Sequence, residues 1–183
     1  INFSKDKKNK IWTYLSYGPF KNYVSFNKWL KSFCLGKDPF FYAIYSKRYK
    51  QYCGMVSYLR ITPEHGSIEV GHINFSPLLQ NTTEGTETMY LMIKNAFEAL
   101  GNRRYEWKCN NLNTASKKAA HRLGFKFEGV FRQMYIFKGR NRDTAWFSII
   151  DKEWKKIKQG YLKFLCSRNF NKNLKQKKRL KFY

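Results

Sequence analysis

The alternation of apolar and polar positions divides the chain into discrete pieces. FFYAIYS (40–46) and YCGMVSYLRI (52–61) are aromatic and β-branched, and the polar run KRYKQ between them predicts a hairpin. TPEHGS reads as a turn, and SIEVGHINF (67–75) predicts a third strand ended by Pro77. SFNKWLKSFCLG (25–36) places Phe26, Trp29, Leu30 and Phe33 at helical spacing. The longest helical stretch is 83–100, where Met89, Met92, Ile93, Ala96, Phe97 and Leu100 line one face and Gly101 ends it. RYEWKC (104–109) alternates as a strand, and a short helix is predicted over 114–123, stopping at Gly124. Two more strands, 125–137 and 143–151, flank KGRNR, whose Gly139 is free to take positive φ. Residues 151–165 read as a helix interrupted by Gly160, and the lysine- and asparagine-rich tail from Ser167 reads as mobile. Helix crossovers between strands imply parallel pairing and the hairpins imply antiparallel pairing, so the expectation is an α/β fold on a mixed sheet.

The chain has 183 residues, enough for one domain with a real core. A hydrophobic content of 43% with 19% aromatics predicts a packed body rather than disorder. No apolar run approaches the ~20 residues that cross a bilayer, and no signal peptide opens the chain. Cysteines at 34, 53, 109 and 166 have neither metal nor redox spacing and read as scattered thiols of a reducing compartment, the cytoplasm. The three histidines are equally dispersed, so no metal site is expected.

The formal charge of +24 is uneven. Residues 1–50 carry 11 basic and 2 acidic side chains, 51–151 carry 13 and 9, and 152–183 carry 12 and 1. The pattern is an ordinary domain between basic flanks. The expected division is a basic segment over 1–11, a domain over 12–154 and a basic extension over 155–183.

Two predicted helix starts could receive an anion through free N–H groups and the helix dipole. One is SPLLQNTTEGTE, after Phe75, where Thr82 or Thr83 caps the helix and Glu84 or Glu87 could close a capping box. The other is KCNNLNTASKKAAHRLGF (108–125), where Asn113 can accept from the N–H of Ser116. Capping explains Asn113 but leaves the Ser116 hydroxyl without a task.

NLNTASKKAAHRLGFKFEG resembles the N-x-x-S…A-x-x-x-G-F…G segment of the GNAT acetyltransferases, especially the Rim-type branch of ribosomal-protein N-acetyltransferases. IEVGHINFSP is similar to that family's glutamate-bearing central strand. KGRNRDTAWFSIID resembles the closing hairpin of one bacterial subgroup, which YGPF after Trp12 also fits. The resemblance covers about residues 12–154. It implies a GNAT fold, with a central, mostly antiparallel mixed sheet and helices on both faces. It also implies that the strand and helix usually preceding the Trp12 region are missing. The chain opens with Ile1 rather than methionine, which gives the same expectation of a truncated start.

The implied activity is acetyl-CoA-dependent transfer to a primary amine by direct attack, with no metal. Gln80, Asn81, Thr82, Thr83 and Gly85 match the family's pyrophosphate-cradling Q/R-x-x-G-x-G/A loop. Thr83 stands where the first glycine belongs, which weakens that cradle. The main chain at Ile73 and Phe75, with Asn113, would hold the pantetheine, and Ser116 would serve the leaving thiolate, with Tyr135 in reserve.

A lysine amine is neutral roughly once in 2,500 at pH 7, whereas an α-amine loses its proton far more easily. Either gains from a base. Glu69, in an otherwise apolar strand where burial would raise its pKa, is the candidate, acting directly or through water. The acceptor is a small-molecule amine or a protein N-terminus. The competing expectation is a catalytically decayed GNAT fold that binds RNA or the ribosome weakly through its basic flanks.

Overall fold

A computed structural model describes residues 10–173 and 175–182. The first nine residues of the basic N-terminal segment therefore lie outside the described residues. The strands are Phe40–Ser46 (β1), Gln51–Thr62 (β2), Ser67–Phe75 (β3), Arg104–Asn110 (β4), Lys126–Phe137 (β5) and Arg140–Ile150 (β6). The α-helices are Tyr23–Trp29 (α1), Thr83–Lys94 (α2), Thr114–Arg122 (α3) and Asp151–Leu165 (α4). The strands form one six-stranded sheet in the order β1-β2-β3-β4-β6-β5. Among the described residues, β3 and β4 alone pair in parallel; the other four pairings within the sheet are antiparallel.

Alternation assigns the two faces. Tyr105, Trp107 and Cys109 of β4 are buried with Val56, Tyr58, Ile68, Val70, Phe147 and Ile149 beneath α2, α3 and α4. Their even-numbered neighbours, Glu106 and Lys108, face the opposite side. That side is covered by α1 and the segment before it, through an aromatic cluster of Trp12, Tyr17, Phe20, Trp29, Phe33 and Phe41. Both α1 and α2 close in a wider π turn, Leu30–Cys34 and Asn95–Ala99, so the predicted helical stretches are right in extent but not uniform in pitch.

The structure departs from the sequence expectation at three places. The β5–β6 connection is a two-residue turn, with Lys138 at φ 53 and Gly139 at φ 72, so β6 begins at Arg140 and absorbs most of the run read as a loop. α4 is continuous through Gly160, where a Cβ would stand 2.4 Å from the Lys181 carbonyl oxygen and 2.5 Å from the Phe182 ring. Gly160 is a seat for the tail, not a helix breaker. The tail also differs from its mobile reading. Asn169 donates to the carbonyls of Phe164 and Lys178 and accepts from the Lys178 N–H. Leu180 and Phe182 pack against the core.

Candidate active site

β3 and β4 pair only from Ser67/Arg104 to Val70/Trp107, although β3 runs on to Phe75 and β4 to Asn110. Past that point the two strands offer unpaired edges to one another. A bulge makes β3 part company. Its register with β2 slips between Met55 and Ser57, and His72 takes the left-handed φ of 49. The slip reverses the side-chain alternation. Glu69 faces the α1 side, while Ile73 and Phe75 pack with the helical core.

Glu69 sits at the base of this divergence and is 4% exposed. Its Oε2 receives Arg60 Nη1 at 2.7 Å and Lys108 Nζ at 2.9 Å. Lys108 also reaches Glu106 at 2.7 Å, and Arg104 links Glu106 at 2.6 Å to Glu128 at 2.5 Å. Burial pushes the Glu69 carboxyl above the ordinary range, and the two cations pull against that rise. Arg60 reaches the carboxylate because it occupies a second irregularity at φ 49. There Asp38 accepts from the N–H groups of Arg60 and Ile61. Arg60 Nη2 also donates to the Tyr135 hydroxyl at 3.2 Å.

The loop after β3 is a helix start. Thr82 caps α2 by accepting from Gly85 N at 3.0 Å, and its hydroxyl donates to the Leu79 carbonyl. The open choice between Thr82 and Thr83 thus resolves to Thr82. Thr83 is the first helical residue, and the N–H groups of Thr83 and Glu84 make no hydrogen bond among the described residues. Glu84 is tied back to Ser46 at 3.3 Å. A Cβ on Gly85 would stand 2.6 Å from the Leu79 carbonyl oxygen, so packing alone demands this glycine. Gln80 donates to the Phe75 carbonyl at 2.7 Å, so that carbonyl already has a partner, and Asn81 is exposed at φ 58.

Asn113 caps α3 through Ser116 N at 3.1 Å, as expected. The Ser116 hydroxyl accepts from the Trp107 indole at 3.0 Å, and its proximity counters the rise that burial imposes on the Cys109 thiol. Ser116 therefore lies on the helical side of the sheet and Glu69 on the other. Tyr135, through Arg60, lies on the Glu69 side.

Several residues of this site have no conspicuous motif in the sequence. Lys108 is 6% exposed, with its ammonium 3.8 Å from the centre of the Trp146 ring. The only hint was the Glu106–Lys108 alternation in a strand. His72 is stacked on Tyr17, with its Nδ1 3.0 Å from the Tyr17 hydroxyl. Burial, aided by Arg60, lowers its pKa to about 4. Arg122 reaches from the end of α3 to Thr86 Oγ1 at 2.8 Å, beside the start of α2. Arg142 stacks on Phe137 and Tyr135. Among the described residues no group of His, Cys, Asp and Glu could hold a metal ion, and no helix is long and apolar enough to cross a membrane.

Comparison with known proteins gives the family. The family model described as "Acetyltransferase (GNAT) domain" matches residues 3–126. The chain belongs to the GNAT acetyltransferase family. A GCN5-related N-acetyltransferase from Brucella melitensis is 40% identical, with a TM-score of 0.92 over 98% of this chain and 80% of that one. A probable GNAT-family acetyltransferase from Chromobacterium violaceum is 43% identical, with a TM-score of 0.78 over 84% and 76%. A spermidine N-acetyltransferase from Vibrio cholerae shares the fold alone, at 16% identity and a TM-score of 0.63 over 82% and 88%. No curated protein matches. Within the GNAT fold of this chain, the β3–β4 pairing ends at Val70 and Trp107, one residue beyond Glu69 on β3.

Proposed function

We propose that this GNAT protein is an acetyl-CoA-dependent N-acetyltransferase that acylates a primary amine by direct attack, and that it stands in the Rim-type branch. The observation that carries the activity is the divergence of β3 from β4 immediately beyond a buried, ion-paired carboxylate. The chain's own groups fit the co-substrate. The unbonded N–H groups of Thr83 and Glu84 at the α2 start, with Gln80, Asn81, Thr82 and Gly85 shaping the loop, suit a pyrophosphate. The backbone edge at Ile73, with Asn113, suits an extended amide-bearing arm, and at Phe75 the Gln80 amide would have to give up the carbonyl to it. Acetyl-CoA supplies an acetyl group activated as a thioester.

Glu69 has the environment of a general base. Burial raises its proton affinity, and both cations engage Oε2, which leaves Oε1 as the oxygen for the proton of the attacking amine. Lys108 and Arg60 fix the carboxylate rotamer. Ser116 accepts from the Trp107 indole, and its hydroxyl proton would turn from Cys109 to stabilise the leaving thiolate. The catalytic unit is taken as residues 12–154.

Thermal unfolding with acetyl-CoA, desulfo-CoA and ADP at about 0.3 M salt tests this reading, because at that ionic strength loose attraction of a +24 chain for any polyphosphate is screened. Stabilisation by acetyl-CoA above that by ADP is expected. Equal, salt-sensitive shifts for all three would instead favour a decayed fold whose basic surface binds RNA.

A further inference from the structure

β6 carries a row of polar atoms that the fold leaves unused. Arg142, Thr144 and Trp146 alternate along it and share the face of Lys108 and Glu69. Arg142 Nε, Thr144 Oγ1 and Trp146 Nε1 are each buried and without a hydrogen-bond partner. Thr144 is fully buried, at 0% exposure. An unpaired donor out of water costs about 1–3 kcal/mol, and although Asn74, Ser76 and Tyr105 also hold unpaired atoms, the three on β6 are gathered on the one strand face that Glu69 shares.

The charges say what kind of ligand. In the network around Glu69, Arg60, Lys108 and Arg104 are matched by Glu69, Glu106 and Glu128. Arg142 is the surplus cation: it makes no ion pair among the described residues, and its guanidinium rests on the rings of Phe137 (4.6 Å) and Tyr135 (5.7 Å). The charges of Glu69 and Arg60 both act on it, so it lies in the same electrostatic neighbourhood as the candidate base. Trp146 is held between Phe131, stacked at 4.5 Å, and the Lys108 ammonium at 3.8 Å, which fixes where its N–H is presented. The segment before α1 and the hairpin tip meet over this face, with Lys138 Nζ donating to the Trp12 carbonyl at 2.9 Å. That contact closes the face toward solvent at the hairpin tip.

Resting on the N-acetyltransferase reading, the geometry points to an acceptor that carries a carboxylate on the same small molecule as its amine, an amino acid or a close analogue. The amine meets Glu69. The carboxylate meets Arg142, with Thr144 and Trp146 donating to acceptor oxygens nearby. A guanidinium fork is suited to a carboxylate, and a polyamine would be repelled by Arg60, Lys108 and Arg142 together.

The test uses the full chain with saturating acetyl-CoA and follows thiol release for a panel of L-amino acids, the same amino acids as carboxamides, and spermidine. The acids should exceed their amides by roughly tenfold or more in kcat/KM, the worth of a hydrogen bond to a charged group. Arg142→Met should raise KM for the acids and bring the acid-to-amide ratio towards one. Arg142→Lys should keep part of the preference, and the isosteric Thr144→Val should lower it less. Amides or spermidine used as well as acids, an Arg142→Met loss shared equally by acid and amide, or no acid turned over or bound in calorimetry would each overturn the inference. Acetyl-CoA stabilisation measured on the same samples separates the failures. If it is present without an acid preference, only this inference falls; if it is absent, the enzyme reading falls and takes this one with it.

Discussion

The carboxy-terminal tail and the inner face of β6 invert what their compositions suggest. The tail is crowded with lysine and asparagine, yet it is closed in: Asn169 is satisfied on both sides of its amide, and Phe182 fills the space that Gly160 leaves open. The β6 segment reads as an unremarkable strand, yet it holds three buried polar atoms with no partner. Unpaired buried atoms also occur at Asn74, Ser76 and Tyr105, but those on β6 share one strand face. Those left unsatisfied beside an ion-paired carboxylate mark where something else belongs.

The largest expected effect falls on the open side. Glu69→Gln should lower kcat by roughly a hundredfold or more, the scale of losing a general base, while the fold survives because Lys108 keeps Glu106. Steady-state rates with circular dichroism on the same preparation check this; a rate within a few-fold of wild type would remove Glu69 from the chemistry. On the closed side, Gly160→Ala should cost about 1–3 kcal/mol, since its Cβ forces the tail off α4. The double variant with Phe182→Ala should cost less than the sum of the two, because both report one contact. Chemical denaturation of the four proteins reads this out, and strict additivity would deny that the tail is seated.

A smaller effect belongs to His72. Its folded pKa of about 4 lies below its ordinary 6.5. The unfolded chain therefore binds more protons between those values, and stability should rise with pH across that window and level off above it. Thermal midpoints from pH 4 to pH 8, compared with His72→Phe, should show that slope shrinking in the variant. Smallest is Asn113→Ala, which loses the α3 cap at about 1 kcal/mol. A matching drop in acetyl-CoA affinity would mean that Asn113 also touches the co-substrate.

Much of the fold was legible because alternation and punctuation are local. β1 and β3 fall where their apolar alternation predicts, and Asn113 caps where its position before Ser116 implies. What escaped was set by distant partners. The bulge at His72 comes from a register slip against β2, and nothing in VGHIN signals it. Gly160 looks like a breaker until Phe182 is seen above it. Glu69 was visible as a charge in an apolar strand, but Arg60 and Lys108 are brought to it only by a second bulge and a parallel pairing. The Ser116 hydroxyl looks unoccupied in the sequence, because nothing local signals its indole partner nine residues away.

The ion pairs running from Arg60 through Glu69, Lys108, Glu106 and Arg104 to Glu128 carry alternating charge from β2 across β3 and β4 to the outer strand β5. The proton affinity at the centre of such a chain belongs to the sheet rather than to one residue. A substitution at the solvent-facing rim, at Glu128 for instance, shifts the balance felt at Glu69 without altering the shape of the cleft. The working pH of the protein can thus drift during evolution through changes at the periphery, leaving the groups that touch the reactants untouched.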